Sequence, residues 1–296
     1  MRLRGIPQVS AEQRARRWGN RLETATEDTV SAKRLYAGDH WAVARDLPEL
    51  GTPKRRINIW IASAGYGLIS IDEQLQPYSA TFSNPHPDTV VVNDVGAAHM
   101  DQRAAWWKAV TEFEWGRERP HSIAELAAEM PDQPLIVVAS QNYLHALYDD
   151  VLLAREELET PNLLSIISAG TEQLGELSAH VVPADARLQY YVGGVRRSLN
   201  VRLARYALQQ TRRGNPTLNR LSNLFETLLK EAPELKKYDR TPMTDTDVTR
   251  YIRRAIKRES SVTQSRLLRE LRDGGNACEQ KRFRTLFHDV LETAHG

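Results

Sequence analysis

Short unbroken apolar runs rich in β-branched residues recur along the chain at 57–62, 135–139, Leu164–Ile167 and 180–183. Unbroken runs, unlike alternating ones, predict strands covered on both faces, as in a parallel sheet. Between them apolar residues recur at helical spacing. One helix is predicted over 95–118, with Trp106, Trp107, Val110 and Phe113. A second, over 122–130, opens with Ser122 and Glu125 as a capping box. A third, over 142–158, carries Tyr143, Leu147, Val151 and Ala154 on one face. Alternating strands and helices predict an α/β fold with a parallel-sheet, Rossmann-like core.

The pattern changes after about residue 192. A basic helix is predicted over 195–210, and Gly214 and Pro216 mark 212–217 as a linker. Beyond it come helices at 218–230, 245–258, 263–273 and 279–293, with no strand and no internal repeat. This divides the chain into an α/β catalytic-type domain, 1–215, and a helical domain, 216–296. In the latter, Leu267, Leu268 and Leu271 form one apolar face. Gly274, Gly275 and Asn276 stop that helix, and Phe283, Leu286, Phe287, Val290 and Leu291 continue at helical spacing. Two short helices about a glycine turn predict a helix-turn-helix-like hairpin.

Composition adds little until charge is read by position. The 296 residues carry a net charge of only +2. Yet residues 1–56 sum to +5, 57–185 to −14, 186–216 to +7 and 217–296 to +4, with +7 in 250–284 alone. Clustered Lys and Arg neutralise phosphates, so the basic parts predict double-stranded DNA as a partner. Candidate phosphate contacts are Gly193, Gly194, Arg196 and Arg197, where a glycine pair precedes a basic helix, and Arg266, Arg269, Lys281, Arg282 and Arg284 on the hairpin. A helical bundle with a charged exterior is the alternative. The single cysteine, Cys278, excludes an internal disulfide and a cysteine metal cluster. No secretory leader and no membrane-length apolar run is read, so a cytoplasmic protein without membrane partners is expected. The eight histidines show no metal-ligand spacing, so no metal and no cofactor is expected. The tryptophans are expected in the core, and Asp149 and Asp150 on a helix surface.

Candidate chemistry lies in the loops after the strands, where open α/β sheets place ligands. The first run leads into Ser63, Ala64, Gly65, Tyr66 and Gly67, then Asp72, Glu73, Pro77 and Tyr78. Glu73 and Asp72 are candidates for proton transfer and Ser63 and Tyr66 for hydrogen-bond donation. Gly65 and Gly67 would admit a ligand to the backbone, and Tyr78 would stack on a base. The later runs deliver Ser140, Gln141 and Tyr143, then Ser168, Ala169 and Gly170, then Asp185, which leads on to Gly193, Gly194, Arg196 and Asn200. Converging loops of this kind predict one cleft. The G-x-G-x-x-G fingerprint, the P-loop and the G-x-S-x-G elbow are absent, which argues against dinucleotide enzymes, common NTPases and common hydrolases.

Tyr36 in KRLYAGDHW, the run INIWIASAGYGLI, the Pro77-Tyr78 pair and the run ending IISAG resemble the YaaA-like/DUF6884 superfamily. The likeness covers roughly residues 30–200 and is greatest to DpdC-type proteins encoded beside 7-deazaguanine DNA-modification enzymes. The resemblance implies hydration of the nitrile of 7-cyano-7-deazaguanine in DNA to an amide, within a restriction-modification setting and beside other proteins of such a cluster. Family members usually open with a buried strand ending in a small polar loop, often with a cysteine. MRLRGIPQ holds no such strand, so a carboxylate-activated water is expected instead of a cysteine nucleophile. Two other readings stay open. One is a non-catalytic DNA-binding subunit of a modification or anti-phage defence system. The other is a base-exchanging, transglycosylase-like enzyme using Asp94 or Asp185.

Overall fold

Three of the apolar runs form strands, the first only from Trp60, and they do not all join one sheet, while 180–183 makes a single bridge and no strand. The computed structural model describes residues 1–7, 9–92, 99–116, 118, 120–171, 174–235, 239–259 and 261–295. After α1 (Ala11–Glu23) and the short α2 (Asp39–Ala44), β1 (Trp60–Ser63) turns back at once into β2 (Gly67–Ser70). The two pair antiparallel, with Ile61 opposite Ile69 and Ser63 opposite Gly67. Gly67 has φ +74°, a conformation side chains resist, and a Cβ there would lie 3.0 Å from the His121 carbonyl oxygen. The glycine therefore allows the reversal that a parallel strand would not make.

The next helices are α3 (His99–Thr111) and α4 (Ile123–Glu129). Then β3 (Leu135–Val138) runs through α5 (Gln141–Glu157) to β4 (Leu164–Ile167). β3 and β4 pair in parallel, Leu135 with Leu164 through Val138 with Ile167. Val181 adds a single parallel bridge to Ile166. The fold is thus mixed α/β with small parallel and antiparallel sheets. The expected helix over 95–118 is described from His99 to Thr111. The capping box at α4 forms: Ser122 Oγ accepts the Glu125 N–H at 3.1 Å, and Glu125 Oε2 accepts the His121 N–H at 2.7 Å.

Trp18, Trp106 and Trp107 are buried, with Ile69, Leu144, Leu147 and Ile166, in one core. A second cluster joins Ile167, Val182 and Leu188 to α6 (Leu199–Gln210) and α7 (Leu218–Glu231) through Leu203, Ala207, Leu221 and Phe225. This packing moves the expected boundary near residue 215. The chain divides into two compact units, Met1–Pro233 and Glu234–Gly296, because α7 closes over β4 with its apolar face.

The second unit has its own core, built by α8 (Asp245–Arg258), α9 (Gln264–Asp273) and α10 (Gln280–His295). Val248, Ile252, Leu267, Leu271, Phe283 and Phe287 meet there. Gly275 at φ +80° makes the turn between α9 and α10. That turn also carries a feature the sequence pattern did not predict. Asn276 and Ala277 pair in parallel with Thr241 and Pro242 as two-residue strands.

Candidate functional site

β1 and β3 belong to different sheets, and the space beside them is a cavity of about 740 Å³. Ile57, Ile59, Ile61, Leu126, Val137 and Leu208 give its walls their apolar character. Trp60, Trp41, Tyr36, Tyr78 and Tyr143 add aromatic rings, and Ser63, Ser140, Asn200, His40 and Arg197 add polar groups. Arg55 and Arg56 also line it. Arg55 is already engaged: its guanidinium donates to the carbonyls of Leu208, Thr211 and Gly214, closing the C-terminal end of α6. Among the described lining residues there is no Asp or Glu, although residues 57–185 sum to −14.

The polar heart of the cavity is a chain of hydroxyls. Ser63 Oγ lies 2.6 Å from Tyr78 Oη, which lies 2.7 Å from Tyr36 Oη. Ser63 Oγ also accepts the N–H groups of Gly65 at 3.1 Å and Tyr66 at 3.0 Å. Sequence and structure meet at Gly65. A Cβ there would lie 2.5 Å from the Tyr78 ring, so only glycine lets that ring lie against the turn. The ring is further held edge-on by Trp18, Tyr36 and Tyr66. The indoles of Trp18 and Trp106 donate to the carbonyls of Gly65 and Ala64, at 2.9 and 2.8 Å, and pin the turn from behind. Burial raises the phenol pKa of Tyr36 to about 12 and that of Tyr78 well above the ordinary value, so both stay protonated at neutral pH. On α2, burial holds His40 below the usual imidazole range, with the Asp39 charge opposing.

Two other strand ends are tied by Asn200 of α6. Its Nδ2 donates to the Ala139 carbonyl at 2.8 Å, and its Oδ1 accepts the Ala169 N–H at 2.9 Å. Asn200 was read as following the last run, after Gly193 and Gly194, without a role of its own; its part as a clasp between strand ends is shown by the structure.

The predicted residues divide by position. Ser63, Tyr78, Ser140 and Arg197 line the cavity. Tyr66 is buried with its hydroxyl between the Gln76 N–H and carbonyl, and contributes its backbone N–H to Ser63. Gly65 and Gly67 shape the turn. Glu73 and Asp72 lie on the turn after β2 and do not line the cavity. There Glu73 Oε2 accepts the Ser70 N–H at 3.3 Å. Gln141 is the exposed first residue of α5. Ser168 is buried, its Oγ 3.0 Å from Thr171 Oγ1, and Gly170 has φ +82° and donates its N–H to the Ala184 carbonyl. Gly193 and Gly194 both have positive φ and precede the one-turn segment Arg196–Ser198. Asp185 is held by Arg187, and Asp94 lies outside the described residues. Asp149 is exposed, but Asp150 is buried, against expectation. It accepts the Trp107 indole at 2.8 Å and the Ile123 and Ala124 N–H groups at 2.9 Å each, which places it at the N-terminus of α4.

In the second unit, Arg266 pairs with Glu259 and Glu270, and Arg282 pairs with Asp245. Arg269, Lys281 and Arg284 are exposed and, among the described residues, make no ion pair. The described residues hold no group of three His, Cys, Asp or Glu side chains placed for a metal ion, and no helix long and apolar enough to cross a membrane.

Comparison with known protein families, curated proteins and solved structures gives no match to this chain.

Proposed function

We propose that the first unit receives a nucleobase in the cavity between β1 and β3. We further propose that the chain hydrates the nitrile of 7-cyano-7-deazaguanine in DNA to the amide, as a cytoplasmic member of a DNA-modification system. The observation that carries the reading is the cavity itself. At about 740 Å³ it lies within the range of roughly 300–1,000 Å³ typical of small-molecule sites. Its aromatic walls suit a flat ring, and its hydroxyl end suits an exocyclic polar group. A base in duplex DNA would have to leave the stack to enter it, which needs phosphate contacts nearby. Arg197 at the cavity and the exposed Arg196 would supply them, and the exposed Arg269, Lys281 and Arg284 of the second unit would be phosphate contacts of that unit.

In the hydration, water oxygen bonds to the nitrile carbon as one C–N electron pair moves to nitrogen. That nitrogen takes one proton to give the imidic acid, and the O–H proton then passes to it as the second C–N pair moves there and C=O forms, giving the amide. A group must take a proton from water and another must meet the nitrogen. His40 is a described lining side chain able to take a proton from water, since burial lowers its pKa and favours the neutral imidazole. It is preferred to Glu73 and Asp72, which stand outside the cavity. The parallel pair β3–β4 with its flanking helices is compatible with a Rossmann-like lineage. Other proteins of the same modification cluster are further expected partners.

The test is incubation of the full chain with duplex DNA carrying the nitrile base, followed by nucleoside mass analysis. Gain of one water is the expected result; an unchanged base overturns the reading. Among the described residues no carboxylate lines the cavity, which favours a second reading, a subunit that holds DNA without turnover, and an unchanged base with tight DNA binding would support it.

A further inference from the structure

The direction of the hydroxyl chain follows from counting donors and acceptors. A hydroxyl has one O–H to donate and two lone pairs to accept with. Ser63 Oγ accepts two backbone N–H groups, so both its lone pairs are engaged. Its contact with Tyr78 Oη is therefore a donation from Ser63. Tyr78 accepts that proton and keeps one O–H, which its 2.7 Å contact directs to Tyr36 Oη. Tyr36 accepts from Tyr78 and also lies close to Ser63, but both Ser63 lone pairs are taken by the amides, so the Tyr36 O–H is left over. Tyr36 and Tyr78 both line the cavity. The chain runs one way, from two backbone amides to a single phenol O–H at the cavity, and each link polarises the next.

We infer that Tyr36 is the ligand's hydrogen-bond donor, that its O–H selects a planar ligand bearing an exocyclic acceptor such as a nitrile nitrogen or carbonyl oxygen, and that Ser63 and Tyr78 orient it. The inference deepens the base-binding reading and rests on it for the identity of the natural ligand. Among the described residues no carboxylate lines the cavity, so they offer a cationic ligand no counter-charge. The raised phenol pKa values fit this role, because the donor keeps its proton across the physiological range.

The test uses two nitriles, benzonitrile and free 7-cyano-7-deazaguanine, with 7-deazaguanine as the acceptor-free control. In the wild-type chain the infrared C≡N stretch of bound benzonitrile should sit at higher wavenumber than in a solvent that donates no hydrogen bond. Tyr36→Phe should abolish that shift. It should also weaken 7-cyano-7-deazaguanine about tenfold, the size expected for one hydrogen bond, and leave 7-deazaguanine unchanged. Ser63→Ala frees Tyr36 to donate back to Tyr78 and should reduce the shift, while a merely structural role would leave it unmoved. No wild-type shift, or a shift that survives Tyr36→Phe, overturns the assignment. A benzonitrile shift lost in Tyr36→Phe, with neither deazaguanine bound, supports the donor and sinks the nucleobase reading. Turnover of nitrile DNA unaffected by Tyr36→Phe does the reverse.

Discussion

In the first unit the buried polar clusters at Asp150 and at Ser63 have hydrogen bonds that end differently. At Asp150, one carboxylate meets three N–H donors, from Trp107, Ile123 and Ala124, all within the protein. At Ser63, two amides start a chain that passes through Tyr78 to Tyr36 and leaves one O–H over. The closed cluster stabilises: it satisfies a helix N-terminus that packing has removed from water. The open one holds a donor ready for something that is not protein. Burial alone does not separate the two roles. The leftover hydrogen does.

The sharpest way to break this contrast is to compare costs. Asp150→Ala strands three buried donors and should lower unfolding free energy by about 4 kcal/mol in urea titrations. Asp88 is a second closed cluster, taking the N–H, Nε and Nη2 of Arg4 and the hydroxyl of Ser79. Asp88→Asn should cost about 3 kcal/mol at pH 7. The Arg4 hydrogen bonds hold the Asp88 carboxyl well below the usual range. Its contribution is therefore present above the unfolded value near ~3.9 and lost as pH falls through the folded one. Below about pH 4 the variant's stability should fall less steeply than the wild type's. Asp150 works in the opposite sense. Burial raises its pKa, so its contribution fades as pH rises through the folded value.

The open cluster should respond more weakly in stability and more strongly in binding. Ser63→Ala should cost about 2 kcal/mol, since two amides lose their acceptor. Tyr36→Phe should cost only about 1 kcal/mol, for the Tyr78 O–H left without an acceptor. A loss for Tyr36→Phe as large as for Asp150→Ala would erase the distinction. Glu73→Gln should change stability by under ~0.5 kcal/mol and leave nitrile turnover intact, whereas His40→Ala should abolish turnover. The opposite pattern would return proton transfer to the turn after β2.

Much of the fold was legible because period and punctuation report local structure. The Ser122–Glu125 box, the β3 and β4 runs, the bounds of α8 and the stop at Gly275 depend on neighbours a few residues apart. The antiparallel turn of β1 into β2 was not, because an apolar run does not say which neighbour it pairs with. The glycines of SAGYG were read as making room for a ligand. Gly65 makes room for Tyr78 instead, a residue outside that run. The role of Asp150 and the Tyr36–Tyr78–Ser63 chain join residues 26 to 43 and 15 to 42 positions apart. No local spacing encodes such pairings. Glu73 and Asp72 were read as proton-transfer groups from their place after the first run, but they sit on the turn after β2, outside the cavity lining.

The cavity also makes the first unit's stability a reading of what occupies it. Its lining residues run from Tyr36 to Pro216 along the chain, so the space exists only while the unit is folded. A molecule held there therefore raises the unfolding midpoint by an amount that grows with the logarithm of its concentration above its Kd. Melting the chain against a series of planar molecules ranks how well each one fits.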